Sequence, residues 1–228
     1  MYYQLAILAA LSDILGGLLL RYSKINKIPT RYIVGFASGI VISTAFFELI
    51  PESDVEKNYL YLGLGFFTFY LLEKIVMLHS CGEKECEAHT VGWIAAVGMS
   101  ADNVVDGIGI AVGYQTQPSL GVLITVAVIA HEIPQGITTA VLMRDAGFKF
   151  SHVMATLVFA GLMYPLGALA SGVVPETLYT AIIAFVAGSF IYIGVGDLLL
   201  EAHKRFNIKV IMSVILGAVV LLILEAFI

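Results

Sequence analysis

Apolar positions dominate the chain, and polar ones gather in short clusters that cut it into lengths suited to a bilayer. A membrane helix needs roughly 20 mostly apolar residues to cross the hydrocarbon core. Cutting at the polar clusters leaves eight such segments, near 2–20, 32–50, 58–78, 91–113, 119–141, 152–172, 177–199 and 208–227. The pattern predicts an all-α integral membrane protein with eight transmembrane helices in a single domain over residues 1–228. The loops are short and leave no room for a separate soluble domain.

Composition supports lipid as the solvent. The chain is 59% hydrophobic and 13% charged, where soluble domains carry about 25% charge. A net charge of −5 with no basic stripe argues against a nucleic-acid partner. The N-terminus lacks a basic leader and a small-residue cleavage site, so it is read as a first span. Cys81 and Cys86 share one polar stretch and form no secreted disulfide framework.

Positive charge orients the helices. Arg21, Lys24, Lys27 and Arg31 occupy the first loop, Lys74 and Lys84 the third, Arg144 and Lys149 the fifth, and Lys204, Arg205 and Lys209 the seventh. Lys57 alone, among Glu52, Asp54 and Glu56, falls on the other side. The positive-inside rule makes the odd loops cytoplasmic and both termini extracytoplasmic. The expected location is the cell (cytoplasmic) membrane.

A weak repeat runs through this pattern. Helix two carries Gly39, Glu48 and Glu52, and helix seven carries Gly188, Asp197 and Glu201 at the same spacing. The two helices run in opposite directions, as in the inverted repeats of transporters. The repeat predicts one carboxylate pair at the outer mouth and one at the inner mouth.

The chemistry is concentrated mid-span. Helix four contains Asp102-Asn103-Val104-Val105-Asp106-Gly107, and helix five contains His131-Glu132-Ile133-Pro134-Gln135-Gly136. Ionisable groups at that depth cost several kcal/mol unless paired, protonated or bound to an ion. Positions i and i+4 share a helix face, so Asp102 points with Asp106 and His131 with Gln135. Two facing helices would form adjacent cages: one of Asp102, Asp106, His131 and Gln135, the other of Asn103, Glu132 and Asp106. Oxygen and imidazole ligands without sulfur suit Zn²⁺, Fe²⁺ or Mn²⁺ and disfavour Cu⁺. Pro134 removes a backbone hydrogen bond and frees a carbonyl nearby. A purely structural hydrogen-bonding role is the competing reading for any one of these residues, but six polar residues in two matched sets argue for a metal site.

In these motifs the chain resembles the ZIP (Zrt/Irt-like) metal-ion transporters. That family's fourth helix typically reads H-N-x-x-[DE]-G and its fifth H-E-x-P-[HE]. Asn103, Asp106, Gly107, His131, Glu132 and Pro134 match, as do Gly39, the Glu-Leu-Ile-Pro-Glu run at 48–52, Ala187-Gly188 and the Asp197/Glu201 pair. The resemblance implies eight helices, outer termini and a binuclear metal site in the transport path. Departures occur at Asp102, in place of the usual His, and at Gln135, in place of His or Glu. Tyr164-Pro165 stands where prokaryotic relatives often have Glu before Pro, and Leu200 replaces the Pro that precedes Glu201. The surplus of oxygen over imidazole could move preference from Zn²⁺ toward Fe²⁺ or Mn²⁺.

The function expected is transport of divalent metal as substrate, zinc first, with iron, manganese or cadmium as alternatives, into the cytoplasm by alternating access. A metal-selective channel is a second reading. An intramembrane hydrolase is a third, weakened because His131-Glu132-x-x-Gln135 lacks the second His of H-E-x-x-H. Glu48 and Glu52 are read either as outer cation-gathering groups or as an ordinary solvated helix end, and Asp197, Glu201 and His203 as an inner exit. Asp13, with Ser12, is read as structural. The loop from His79 to His89, with Cys81 and Cys86, is metal-capable but is read first as a solvated cytoplasmic loop. Metal ions and the lipid bilayer are the expected partners, and a homodimer is left open.

Overall fold

The computed structural model describes residues 1–21, 30–80, 88–204 and 207–228, and among these no strand occurs. Eight helical rods form among the described residues. Five are uninterrupted: α1 (Tyr2–Arg21), α3 (Val55–Ser80), α4 (Ala88–Thr116), α5 (Pro118–Asp145) and α8 (Ile208–Glu225). α2 runs Thr30–Ser43, widens into a π-helix over Thr44–Leu49 and closes with Ile50–Glu52. α6 comprises Phe150–Gly161 and Met163–Ala170. Its break at Leu162 follows from Pro165, whose missing N–H cannot bond the Gly161 carbonyl one turn back. α7 runs Tyr179–Ile191, widens into a π-helix over Tyr192–Leu199 and ends in Leu200–Ala202. α8 is Ile208–Glu225, capped by the Asn207 side chain, which accepts from the Lys209 N–H at 2.8 Å.

The eight predicted apolar segments overlie these helical rods, with ends displaced by a few residues. α4 and α5 meet at Gln117 alone, because Pro118 opens α5 where no N–H is needed. Six rods among the described residues are long and apolar enough to cross a membrane: those of α1, α2, α5, α6, α7 and α8. Residues 81–87, holding Cys81, Glu83, Lys84 and Cys86 of the expected loop, lie outside the described residues, as do Lys24, Lys27 and Arg205.

Burial sorts the rods into inner and outer positions. The apolar window of α5 is 67% buried, those of α2 and α7 61%, and that of α8 17%. α5 is thus central and α8 peripheral. Large apolar side chains such as Leu60, Leu64, Phe67, Ile215, Leu216 and Ile223 point outward, whereas Asp13, Asp102, Asn103, Asp106, His131 and Glu132 are buried. This inside-out distribution fits lipid around the bundle.

Close glycine contacts set the packing, and they come in matched sets. A Cβ at Gly16 would stand 2.5 Å from the Ile133 oxygen, and one at Gly136 2.3 Å from the Asp13 oxygen. α1 and α5 therefore pack backbone to backbone. α6 and α4 make the same reciprocal contact through Gly167 on Val104 and Gly107 on Tyr164. α2 and α8 touch through Gly39 on Val214 and Gly217 on Phe36, and α7 and α3 through Gly188 on Leu62 and Gly65 on Phe185. Asp13 and Tyr164 occupy matching places in these sets, as do Gly39 and Gly188. In the same register Glu48 matches Asp197, and each lies within its rod's π-helix.

Candidate metal centre

The central cluster is built by α4 and α5. One ligand atom from each of Asp102, Asp106, His131 and Glu132 lies within 4.8 Å of the others. His131 Nε2 is 3.2 Å from Asp106 Oδ2 and 3.2 Å from Glu132 Oε1. Asp106, His131 and Glu132 are wholly buried, and Asp102 retains only 8% exposure. His131 Nδ1 lies 2.9 Å from the Ala127 carbonyl one turn back. A carbonyl only accepts, so Nδ1 is the donor and Nε2 is directed at the carboxylates. Such a backbone anchor fixes tautomer and ring orientation in metal-binding histidines. Phe190 of α7 packs edge-on against the ring, its centroid 5.9 Å away.

The carboxylates have little protein compensation beyond His131. Asp106 Oδ1 and Oδ2, both Glu132 oxygens and Asp102 Oδ1 are buried without an aligned hydrogen bond. No Lys or Arg is among the buried residues described. Removing three carboxylates from water with a single imidazole beside them is strongly unfavourable. A divalent cation bound by oxygen and imidazole would supply that charge.

Neighbouring sites place the remaining predicted residues. Asn103 Nδ2 donates to the Ala160 carbonyl of α6 at 2.9 Å, leaving its buried Oδ1 unpartnered. Gln135 is half-buried and lines a cavity of about 440 Å³ with Pro134, Thr138, Thr139, Asp197 and Glu201. Asp197 is exposed to that cavity, while Glu201 pairs with Lys204. At the opposite end Glu48 lines a second cavity of about 300 Å³ with Glu52, Gln117 and Glu225. Between that cavity and His131 lie buried Ile124, Ala127 and Val128 of α5. On the other side, Gln135 brings the first cavity to within one turn of His131.

Two features differ from the expected pair of cages. Glu132 joins Asp102, Asp106 and His131 in one cluster, because a flexible carboxylate reaches round from its own direction to the imidazole edge. Asp13 and Tyr164 are also wholly buried with unpartnered oxygens, and both interact electrostatically with Glu132. For Asp13 the only sequence signal is an acid inside an apolar span. For Tyr164 it is the Tyr164-Pro165 pair, at the place where the family resemblance implies an acid before proline.

Comparison with known proteins assigns the scaffold. The profile of the family described as ZIP Zinc transporter matches residues 78–225. Zinc transporter ZIP13 of Pongo abelii is 22% identical over 224 residues, covering 87% of this chain and 67% of that protein. An uncharacterized protein of Methanocaldococcus jannaschii is 27% identical over 194 residues, covering 82% of this chain and 81% of that one. Zinc transporter YKE4 of Saccharomyces cerevisiae is 24% identical over 160 residues, covering 59% and 46%. ZIP members are transporters, which removes the hydrolase reading. The chain belongs to the ZIP zinc transporter family and is a multi-pass membrane transporter of divalent metal.

Proposed function

We propose that the chain carries zinc inward across the cell membrane through the Asp102, Asp106, His131 and Glu132 cluster, with eight spans and both termini outside. The observation that carries this reading is the buried carboxylate–imidazole cluster, with no Lys or Arg among the buried residues described, between two cavities that carboxylates line. Asn103 and Gln135 extend the ligand set on either side, Glu48 gathers cations at the outer cavity, and Asp197 and Glu201 receive them at the inner one. Iron, manganese and cadmium are alternative substrates for the same oxygen-rich set.

The mechanism is alternating access in an inverted repeat that exchanges α1 with α6, α2 with α7, α3 with α8 and α4 with α5. The matched glycine contacts support it. α4 and α5 carry the ion, and the surrounding rods exchange which cavity reaches it. The apolar turn of Ile124, Ala127 and Val128 seals the outer side in the present arrangement, an inward-facing one. Protons compete with metal for carboxylate and imidazole, so uptake slows in acid.

Proteoliposome uptake tests the reading. Saturable Zn²⁺ uptake lost in His131→Ala and Asp106→Ala is expected. Metal that binds at the cluster and never crosses would refute it, and flux without saturation would point to a channel.

A further inference from the structure

We propose that Asp13 of α1 is a metal-binding residue of the central site, supplying a fourth carboxylate on the side of Glu132 facing α1. The proposal rests on the preceding assignment of the α4–α5 cluster as the substrate site.

Asp13 is wholly buried, and neither of its carboxylate oxygens has a hydrogen-bond partner. A structural aspartate inside an apolar helix would be expected to accept hydrogen bonds, because an unpaired buried carboxylate is among the costliest groups a protein can hold. Its neighbour Ser12 does not help, since the Ser12 hydroxyl donates to the Ala9 carbonyl at 2.7 Å.

Position is the second argument. Gly136 lies directly against Asp13: a Cβ there would stand 3.0 Å from Asp13 Oδ1. Gly136 is one turn from Glu132 on the same face of α5. The Asp13 carboxylate therefore lies along the face from which Glu132 projects, and it interacts electrostatically with both Glu132 and His131. Glycine at 136 is required first by the Asp13 carbonyl, 2.3 Å from where a Cβ would stand, and the same close contact sets the Asp13 side chain against α5.

Two neutral oxygens of the bundle interior share this lack of partners. The Tyr164 hydroxyl is buried and unpartnered, and interacts with Asp13, Glu132, Asp106 and Asp102. Asn103 Oδ1 is likewise buried and unpartnered. Asp13 stands outside the group of Asp102, Asp106, His131 and Glu132 whose ligand atoms lie within 4.8 Å of one another, so the position it would complete is an oxygen-rich one beside that group.

The test uses purified full-length protein in detergent, with zinc binding by equilibrium dialysis and folding by thermal melting without metal. Asp13→Asn keeps the shape and removes the charge. It is expected to weaken zinc binding about 10- to 100-fold while the metal-free protein melts no lower than wild type. Zinc affinity and stoichiometry unchanged in Asp13→Asn would overturn the proposal. Asp13→Cys, made in a Cys81→Ser/Cys86→Ser background, provides a readout that a structural role would not move and that serves if the asparagine variant fails to fold. Cd²⁺ is expected to produce a cadmium–thiolate charge-transfer band absent from the same background with Asp13 intact. Cadmium bound without that band would also overturn the assignment. His131→Ala separates the two levels: binding lost there but retained in Asp13→Asn removes Asp13 alone, whereas a folded wild type that binds no metal removes the site itself.

Discussion

His131 Nε2 stands 3.2 Å from Asp106 Oδ2 with both side chains wholly buried. The pair joins α4 to α5 at the centre of the bundle, and the backbone anchor of Nδ1 leaves Nε2 as the metal-facing atom. In the absence of metal this geometry concentrates negative charge with little to offset it. Metal binding and stability are therefore linked in a way that substitutions can separate.

Asp106→Asn removes one of these buried charges and keeps the shape. The metal-free variant should melt at or above the wild-type temperature, because the cost of burying that anion disappears. Zinc should stabilise wild type by about 2.7 kcal/mol at a hundredfold excess over its Kd and the variant by much less. Melting curves with and without zinc check both halves. A metal-free variant that melts well below wild type would show that Asp106 is held by the fold rather than by its ligand.

The close helix contacts carry a separate prediction. A Cβ at Gly107 would stand 2.1 Å from the Tyr164 carbonyl, whereas one at Gly63 would meet nothing within 4 Å. Gly107→Ala should cost about 1–3 kcal/mol or more by forcing α4 and α6 apart. Gly63→Ala should be neutral or stabilising by up to about 1 kcal/mol, through helix propensity. Thermal melting of both in detergent tests the contrast. Gly107→Ala should also reduce zinc affinity, since Asp106 is its immediate neighbour.

The two cavities should govern rate rather than affinity. Glu48 and Asp197 lie on α2 and α7, outside the cluster of Asp102, Asp106, His131 and Glu132. Glu48→Gln and Asp197→Asn should slow uptake at low metal by up to about tenfold, through loss of local cation enrichment. Equilibrium zinc binding should be unchanged. A tenfold loss of affinity in either variant would place its residue in the coordination sphere instead.

Much of this was legible because helical spacing is a strong constraint. Asp102 with Asp106 follows from the i, i+4 rule, and charged groups inside apolar spans have few structural excuses. Spacing places Glu132 in the neighbouring cage, because it gives the direction of a Cβ and not the reach of a flexible side chain. The π-helices of α2 and α7 left no trace in the apolar pattern, since widening a helix changes its backbone and not its composition. Pro51 follows the first π-helix, but Leu200 occupies the matching place after the second, so proline is not a reliable marker. Asp13 has no ionisable neighbour at helical spacing. Its significance depends on Gly136, a contact between segments far apart in the chain.

Gln135 offers the sharpest test of how sequence sets the choice of metal. It shares a face of α5 with His131, and it lines the cavity that also holds Asp197 and Glu201. An amide oxygen is a weak, neutral ligand that discriminates little among divalent ions. An imidazole at the same place would favour zinc over manganese. Gln135→His should therefore raise the ratio of zinc to manganese affinity by about tenfold, equivalent to about 1.4 kcal/mol, in competition dialysis. Uptake of zinc in proteoliposomes should slow at the same time, because a tighter site releases its ion less readily into the inner cavity. If the ratio is unchanged, Gln135 lies outside the coordination sphere, and selectivity rests with Asp102, Asp106, His131 and Glu132.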